Sequence, residues 1–236
     1  MSYIAVALVV GLLIAIHEFG HLLAAKLCGI PVARFSVGFG RKVVEFERGG
    51  TSYRLSWIPI GGYVLPAVDP DRFHELAAHK RITFALGGPI ANMVAAFIGL
   101  FVLGLAQFEL PVVGAASFAA TQLWSGLQQQ VFALSTLVSD FDQVSGIVGI
   151  VAIGGDQFGA TFASLLMFSV LINLSLAVLN LLPLPPLDGG RILFCLLEKI
   201  HRPFVKAEVP LTLVGWAMVL TLMAYATVQD VGRILA

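Results

Sequence analysis

Charge is scarce in this chain. Only 12% of its 236 residues are Asp, Glu, Lys or Arg, and the two signs cancel to a net charge of zero. With no basic excess there is no electrostatic footprint for nucleic acid, and no such partner is expected. Cysteine is scarcer still, with only Cys28 and Cys195. The topology argued below puts both on the cytoplasmic side, where a disulfide does not persist. The first residues lack the basic cluster that opens a secretory signal peptide, and the apolar run behind them holds candidate chemistry, so it is expected to be retained. No internal repeat is visible, which argues against the inverted-repeat build of many transporters. What is present is apolar: 58% of residues are hydrophobic and the mean hydropathy is +0.92. Long uncharged runs at that level specify a polytopic membrane protein, with the lipid bilayer as its solvent.

The expected fold is all-α with four transmembrane helices and a small membrane-associated β-sheet after the first span, in a single domain over residues 1–236. The spans are expected at about Tyr3–Cys28, Ile82–Ala106, Ala160–Leu182 and Val209–Val228. The first stops at Gly29 and Pro31, a capping glycine followed by a helix breaker. The second contains Gly87-Gly88-Pro89, which reads as an interruption, and Asn92. Residues 32–66 are β-prone, with Gly49-Gly50 as a hairpin turn. Residues 69–81 read as an interfacial helix. Residues 112–138 are uncharged but rich in Gln, and read as an amphipathic helix on the outer surface, with a fifth span as the competing reading. Small residues at Gly87, Ala91, Gly99 and Gly104 suit close helix packing. Loop charge supports four spans. Nine of the fourteen Lys and Arg lie between Lys26 and Arg81, four between Arg191 and Lys206, and none in 107–159. With basic segments cytoplasmic, both termini are outside.

Within the first span stands His17-Glu18-Phe19-Gly20-His21. Residues four apart share a helix face about 6 Å apart, so both imidazoles can turn to one ion, with a carboxylate beside them placed to take a proton from water. Charged groups in a span cost about 2.5–3.5 kcal/mol on insertion scales, which marks them as functional candidates. A third ligand must come from elsewhere. Asp188 follows the inner end of the third span, between a Pro-rich break and a Gly-Gly pair. Such non-helical backbone is tolerated at membrane depth only where protein or a cavity surrounds it. Asp188 can therefore reach back to His17 and His21, or serve as the N-cap of the helix that follows. Two His, one carboxylate and an open position make a catalytic zinc site. His74, His79 and His201 read as solvated or headgroup-facing, and Asp230 with Arg233 as a weak surface pair.

Several stretches in this order resemble the site-2 proteases, intramembrane zinc metalloproteases, and above all their bacterial branch that cleaves anti-sigma factors. They are His17–His21, Arg34–Gly40, Gly50-Thr51 with Tyr53, Pro59–Val64, Gly88–Asn92, Asn180–Pro185 and Leu187–Gly190. The resemblance implies Zn2+ held by His17, His21 and Asp188, with Glu18 as the general base. It implies that Asn180 contacts substrate or a developing oxyanion, and that the sheet, with Gly38, Phe39 and Gly40, presents an edge to an unwound substrate. The implied activity is hydrolysis of peptide bonds inside transmembrane segments of membrane proteins, such as anti-sigma factors or remnant signal peptides. The implied setting is the bacterial inner membrane, with the active site toward the cytoplasm. The chain departs from that family in two places. About 53 residues separate spans two and three, too few for the PDZ domain usual in bacterial members. The family's Ser-Gly-Pro stands here as Ser145-Gly146-Ile147. Two other readings of the residues stay open, a metal-binding or transport protein and a catalytically silent scaffold that binds single-span proteins.

Overall fold

The computed structural model describes residues 3–137, 161–200 and 204–235. Ser145-Gly146-Ile147 and His201 lie outside them. The elements are α1 (Tyr3–Leu27), β1 (Val32–Arg48), β2 (Thr51–Pro66), α2 (Pro70–Glu75), α3 (Ala78–Ala106), α4 (Val112–Leu137), α5 (Phe162–Asn180), α6 (Asp188–Ile200) and α7 (Phe204–Leu235). Among the described residues, four helices are long and apolar enough to cross a membrane: Ala5–Leu27, Ala78–Ala106, Phe162–Asn180 and Ala207–Gly232. The chain groups into two compact units. The first combines Val10–Asn92 with Leu179–Val214, and the second combines Met1–Val9, Met93–Val178 and Gly215–Ala236.

In the first unit α1 meets α3 at Gly20 and Gly87. A Cβ on either would collide with the backbone carbonyl of the other, so the two helices touch main chain to main chain there. α3 runs unbroken from Ala78, through Pro89. The interruption expected at Gly87-Gly88-Pro89 does not occur, because a membrane helix tolerates proline where neighbours re-satisfy the freed backbone. The interfacial segment is only the short α2, since α3 has begun by Ala78.

β1 and β2 pair antiparallel around the Gly49-Gly50 turn, with Arg48 opposite Thr51 and Val44 opposite Leu55. Both strands bend, so β1 is used twice. Arg34–Val37 lies opposite Leu65 back to Gly62 on one side and Ser52 to Leu55 on the other. Leu22, Ala25, Ile30, Val32 and Phe84 form the core that ties this sheet to α1 and α3, with Phe35, Tyr53, Val64 and Phe73 packed on it. Beyond that core the hairpin exposes Val43, Phe46, Trp57 and Ile58, an apolar surface suited to the bilayer boundary.

In the second unit α4 does not lie across the ends of its neighbours. Ala115 sits against Gly104, Ala119 joins Ala96, Leu100, Val170 and Leu174 in one core, and Gly126 meets Leu174. Small residues at 115, 119 and 126 share one helix face and let α4 run alongside α3 and α5. Gln122, Gln128 and Gln129 remain exposed. Gly99, against Val170, and Gly104 are close-packing positions, as their size suggests. Asp230, expected at the surface, is 2% exposed. An isolated acid near the end of a span reads as solvated in sequence, and nothing local signals its burial.

Candidate metal centre and its surroundings

α1 brings His17 and His21 to one face, one turn apart, and both are buried. The turn between α5 and α6 delivers Asp188, 6% exposed, as the first residue of α6. His17 Nε2 lies 3.2 Å from Asp188 Oδ2, His21 Nε2 lies 3.2 Å from the same oxygen, and the two Nε2 atoms are 3.2 Å apart. Zinc bound tetrahedrally at about 2.0–2.1 Å sets its donors about 3.3–3.4 Å apart, so these three atoms match one face of that tetrahedron. Two imidazoles and a carboxylate are also the donor types zinc takes.

Space for such an ion comes from Gly88 on α3. A Cβ there would fall 2.5 Å from the Nε2 atoms of both His17 and His21. α3 also fixes the rings. The Phe84 carbonyl accepts a hydrogen bond from His21 Nδ1–H at 2.8 Å, which turns Nε2 toward the pocket. His17 Nδ1 lies 3.1 Å from the Asn92 side-chain nitrogen. Asn92, named above only as a polar residue within the second span, is thus a neighbour of the centre. The signal was present: residues 84, 88 and 92 recur every fourth position and share one face of α3.

Asp188 is not simply a helix cap. Its Oδ2 faces the Nε2 atoms of both histidines, and Arg191 lies 3.9 Å from its other oxygen. The close turn before it depends on Gly189 and Gly190, whose Cβ atoms would strike the carbonyls of Leu181, Leu182 and Leu184.

Glu18 is partly buried, and β2 crosses it at Gly62, where a Cβ would lie 2.9 Å from Glu18 Cγ. The segment Gly62–Leu65 has a strand partner on one side only among the described residues. Beside it lies a cavity of about 390 Å³ lined by Val64, Leu65, Phe84 and Arg191, among others. His74 reaches the same cavity and stands 3.7 Å from Glu208, whereas His79 is exposed.

The remaining candidate residues lie at the bend of β1 and at the end of α5. Gly38 and Gly40 have positive φ, and Phe39 pairs with Ile58 while its ring stacks on Tyr63 at 6.3 Å. These residues mark the bend of β1, and the strand before them is flanked on both sides. Asn180 ends α5, half-buried. Cys28 and Cys195 are both free, and Cys195 donates to the Ala78 carbonyl at 3.7 Å.

Comparison with known proteins gives a consistent picture. The profile of Peptidase family M50 matches residues 5–223. A candidate zinc metalloprotease of Campylobacter jejuni is 28% identical over 347 aligned positions, taking in 100% of this chain and 94% of the relative. That alignment is more than a hundred positions longer than this chain, so the relative carries residues with no counterpart here. A candidate zinc metalloprotease of Fusobacterium nucleatum is 25% identical, with 99% of each chain covered. The protease RseP of Yersinia pestis is 37% identical over 48% of this chain and 28% of its own length.

Proposed function

Because the chain belongs to peptidase family M50, we propose that it is a zinc endopeptidase that hydrolyses peptide bonds within transmembrane segments of other membrane proteins. The observation that carries this reading is the triangle of His17, His21 and Asp188 donors, 3.2 Å on each side, built next to Glu18 in an apolar helix. His17, His21 and Asp188 hold the ion. Bound there, zinc supplies a Lewis acid and brings the pKa of a water to about 7.

Glu18 accepts the proton as water attacks and passes it to the leaving amine. Its half-covered position under Gly62 keeps the carboxylate beside the reacting bond. A substrate helix must unwind before its peptide bond is accessible, which favours targets with Gly or Pro breaks. Unwound, it needs partners for its backbone. The one-sided segment Gly62–Leu65 and the adjoining cavity support strand addition there, with Gly38, Phe39 and Gly40 shaping the bend that holds this edge. Asn180, at the end of α5, is assigned to the substrate or its oxyanion. We assign the whole of 1–236 to one protease domain in the bacterial inner membrane. Loop charge supports both termini outside and the centre toward the cytoplasm. Substrates of the anti-sigma-factor or remnant-signal-peptide kind fit that placement.

The test is cleavage of a single-span reporter with a Gly/Pro break by the wild type, by Glu18→Gln, and by the wild type with a zinc chelator. Glu18→Gln should lose about 10²–10⁴-fold in rate while retaining zinc. Equal product from all three would overturn the reading, and cleavage of a poly-Leu span as fast as the broken one would remove the unwinding requirement.

A further inference from the structure

Asn92 is fully buried, with its side-chain nitrogen on His17 Nδ1 at 3.1 Å and its Oδ1 without a partner among the described residues. A neutral imidazole carries one N–H. With an amide N–H donating to Nδ1, the ring proton sits on Nε2, where it donates to Asp188 Oδ2 at 3.2 Å. An ion takes the Nε2 lone pair, so the ring proton moves to Nδ1, and two N–H groups would then face each other. A half-turn of the amide about its last bond exchanges nitrogen and oxygen in place. It brings the orphaned Oδ1 to His17 as the acceptor the loaded centre needs.

We infer that Asn92 is a positioning residue for the metal centre, its side-chain oxygen accepting from His17 Nδ1–H and so fixing the ring with Nε2 toward the ion. The inference rests on the zinc reading above. It completes a pattern on one face of α3. The Phe84 carbonyl orients His21, Gly88 leaves the space, and Asn92 orients His17. Both histidines are thereby aimed by the same rigid helix, two turns apart.

The experiment compares wild type, Asn92→Asp and Asn92→Leu in detergent, measuring zinc affinity by competition with a chromophoric chelator. Asn92→Leu, close in size and without an acceptor, should bind zinc about 10–100-fold more weakly. Asn92→Asp presents only acceptors and should bind as tightly as the wild type. In zinc-loaded protein with ¹⁵N-labelled histidine, His17 Nδ1–H should exchange slowly in wild type and Asn92→Asp and rapidly in Asn92→Leu. Thermal unfolding with excess chelator controls for folding. Wild-type affinity in Asn92→Leu overturns this inference alone, as does an Asn92→Asp as weak as Asn92→Leu, which would make Asn92 a donor or a packing residue. A wild type that takes up no zinc overturns both this inference and the zinc reading beneath it.

Discussion

Both compact units bring helices together through small residues, yet they use the contact for opposite ends. In the first, Gly87 and Gly88 bring α3 onto α1 so closely that polar groups meet, and each buried polar side chain of the centre has a partner supplied by α3 or α6. In the second, Gly99, Gly104 and Gly126 receive apolar side chains and the edge of α4. Its buried Asn173 donates within its own helix, to the Ser169 carbonyl. Membrane helices lack a hydrophobic drive to associate and depend on such contacts. The first unit converts that contact into ligand geometry, and the second into packing alone.

The sharpest test of this contrast exchanges one glycine in each unit for alanine. Gly88→Ala places a methyl group 2.5 Å from ring nitrogens that cannot withdraw. It should cost about a hundredfold or more in zinc affinity, comparable to losing a supporting partner of the site. Gly99→Ala meets only the movable Val170 methyl group at 2.9 Å, and should change stability by within about 1 kcal/mol. Equal effects on zinc would erase the distinction. Next in size, Gly62→Ala pushes against the Ser36 carbonyl and Glu18 Cγ. If Glu18 is the base proposed above, turnover should fall by about ten- to a hundredfold with zinc content unchanged, because a small displacement of such a group is costly.

Leu174→Ala tests the other side of the comparison. Leu174 is 4% exposed and contacts Gly126. Its truncation should cost about 2 kcal/mol, the low end for a buried leucine, since lipid gives no transfer term. Thermal unfolding in detergent should register that loss while zinc affinity stays at the wild-type value. The smallest effect lies on the hairpin. Glu45 is held down to about 2 by its hydrogen bond from Lys42, then Ser52 and Arg54. A carboxyl lowered from its ordinary 4.5 stabilises the fold above that ordinary value and loses the contribution as pH falls toward about 2. Glu45→Gln should therefore speed amide exchange in Ser52 and Arg54 near about pH 6 and leave it unchanged near about pH 2. The effect is weak, because the pair is on the surface.

The features legible in sequence are those with a strong local period or composition. Four long apolar runs correspond to α1, α3, α5 and α7, and His17 and His21 declare themselves by spacing alone. Asp188 was accessible because a Pro break and a Gly pair at membrane depth need a reason. What stayed hidden depends on what covers a residue. Asn92 looked like any amide in a span until α1 lay against it. A glycine pair at 61–62 suits a bend or a close backbone approach, and only the fold shows that Gly62 is where β2 passes over Glu18. The placement of α4 turned on Ala115, Ala119 and Gly126, whose close contacts outweigh the polar character of its glutamines. The burial of Asp230 and the double use of Arg34–Val37 in the sheet likewise depend on tertiary neighbours that no sequence window contains.

The separation of the ligands along the chain has a consequence for biogenesis. His17 and Asp188 meet across 171 positions. A ribosome adds about 5–20 residues per second, so roughly ten to thirty seconds pass between synthesis of the first ligand and the third. For that interval the nascent chain has two imidazoles and a base but no complete metal face. On the proposed reading, the chain therefore holds no complete metal face while α3 and α5 are threading into the bilayer, and gains one when α6 docks.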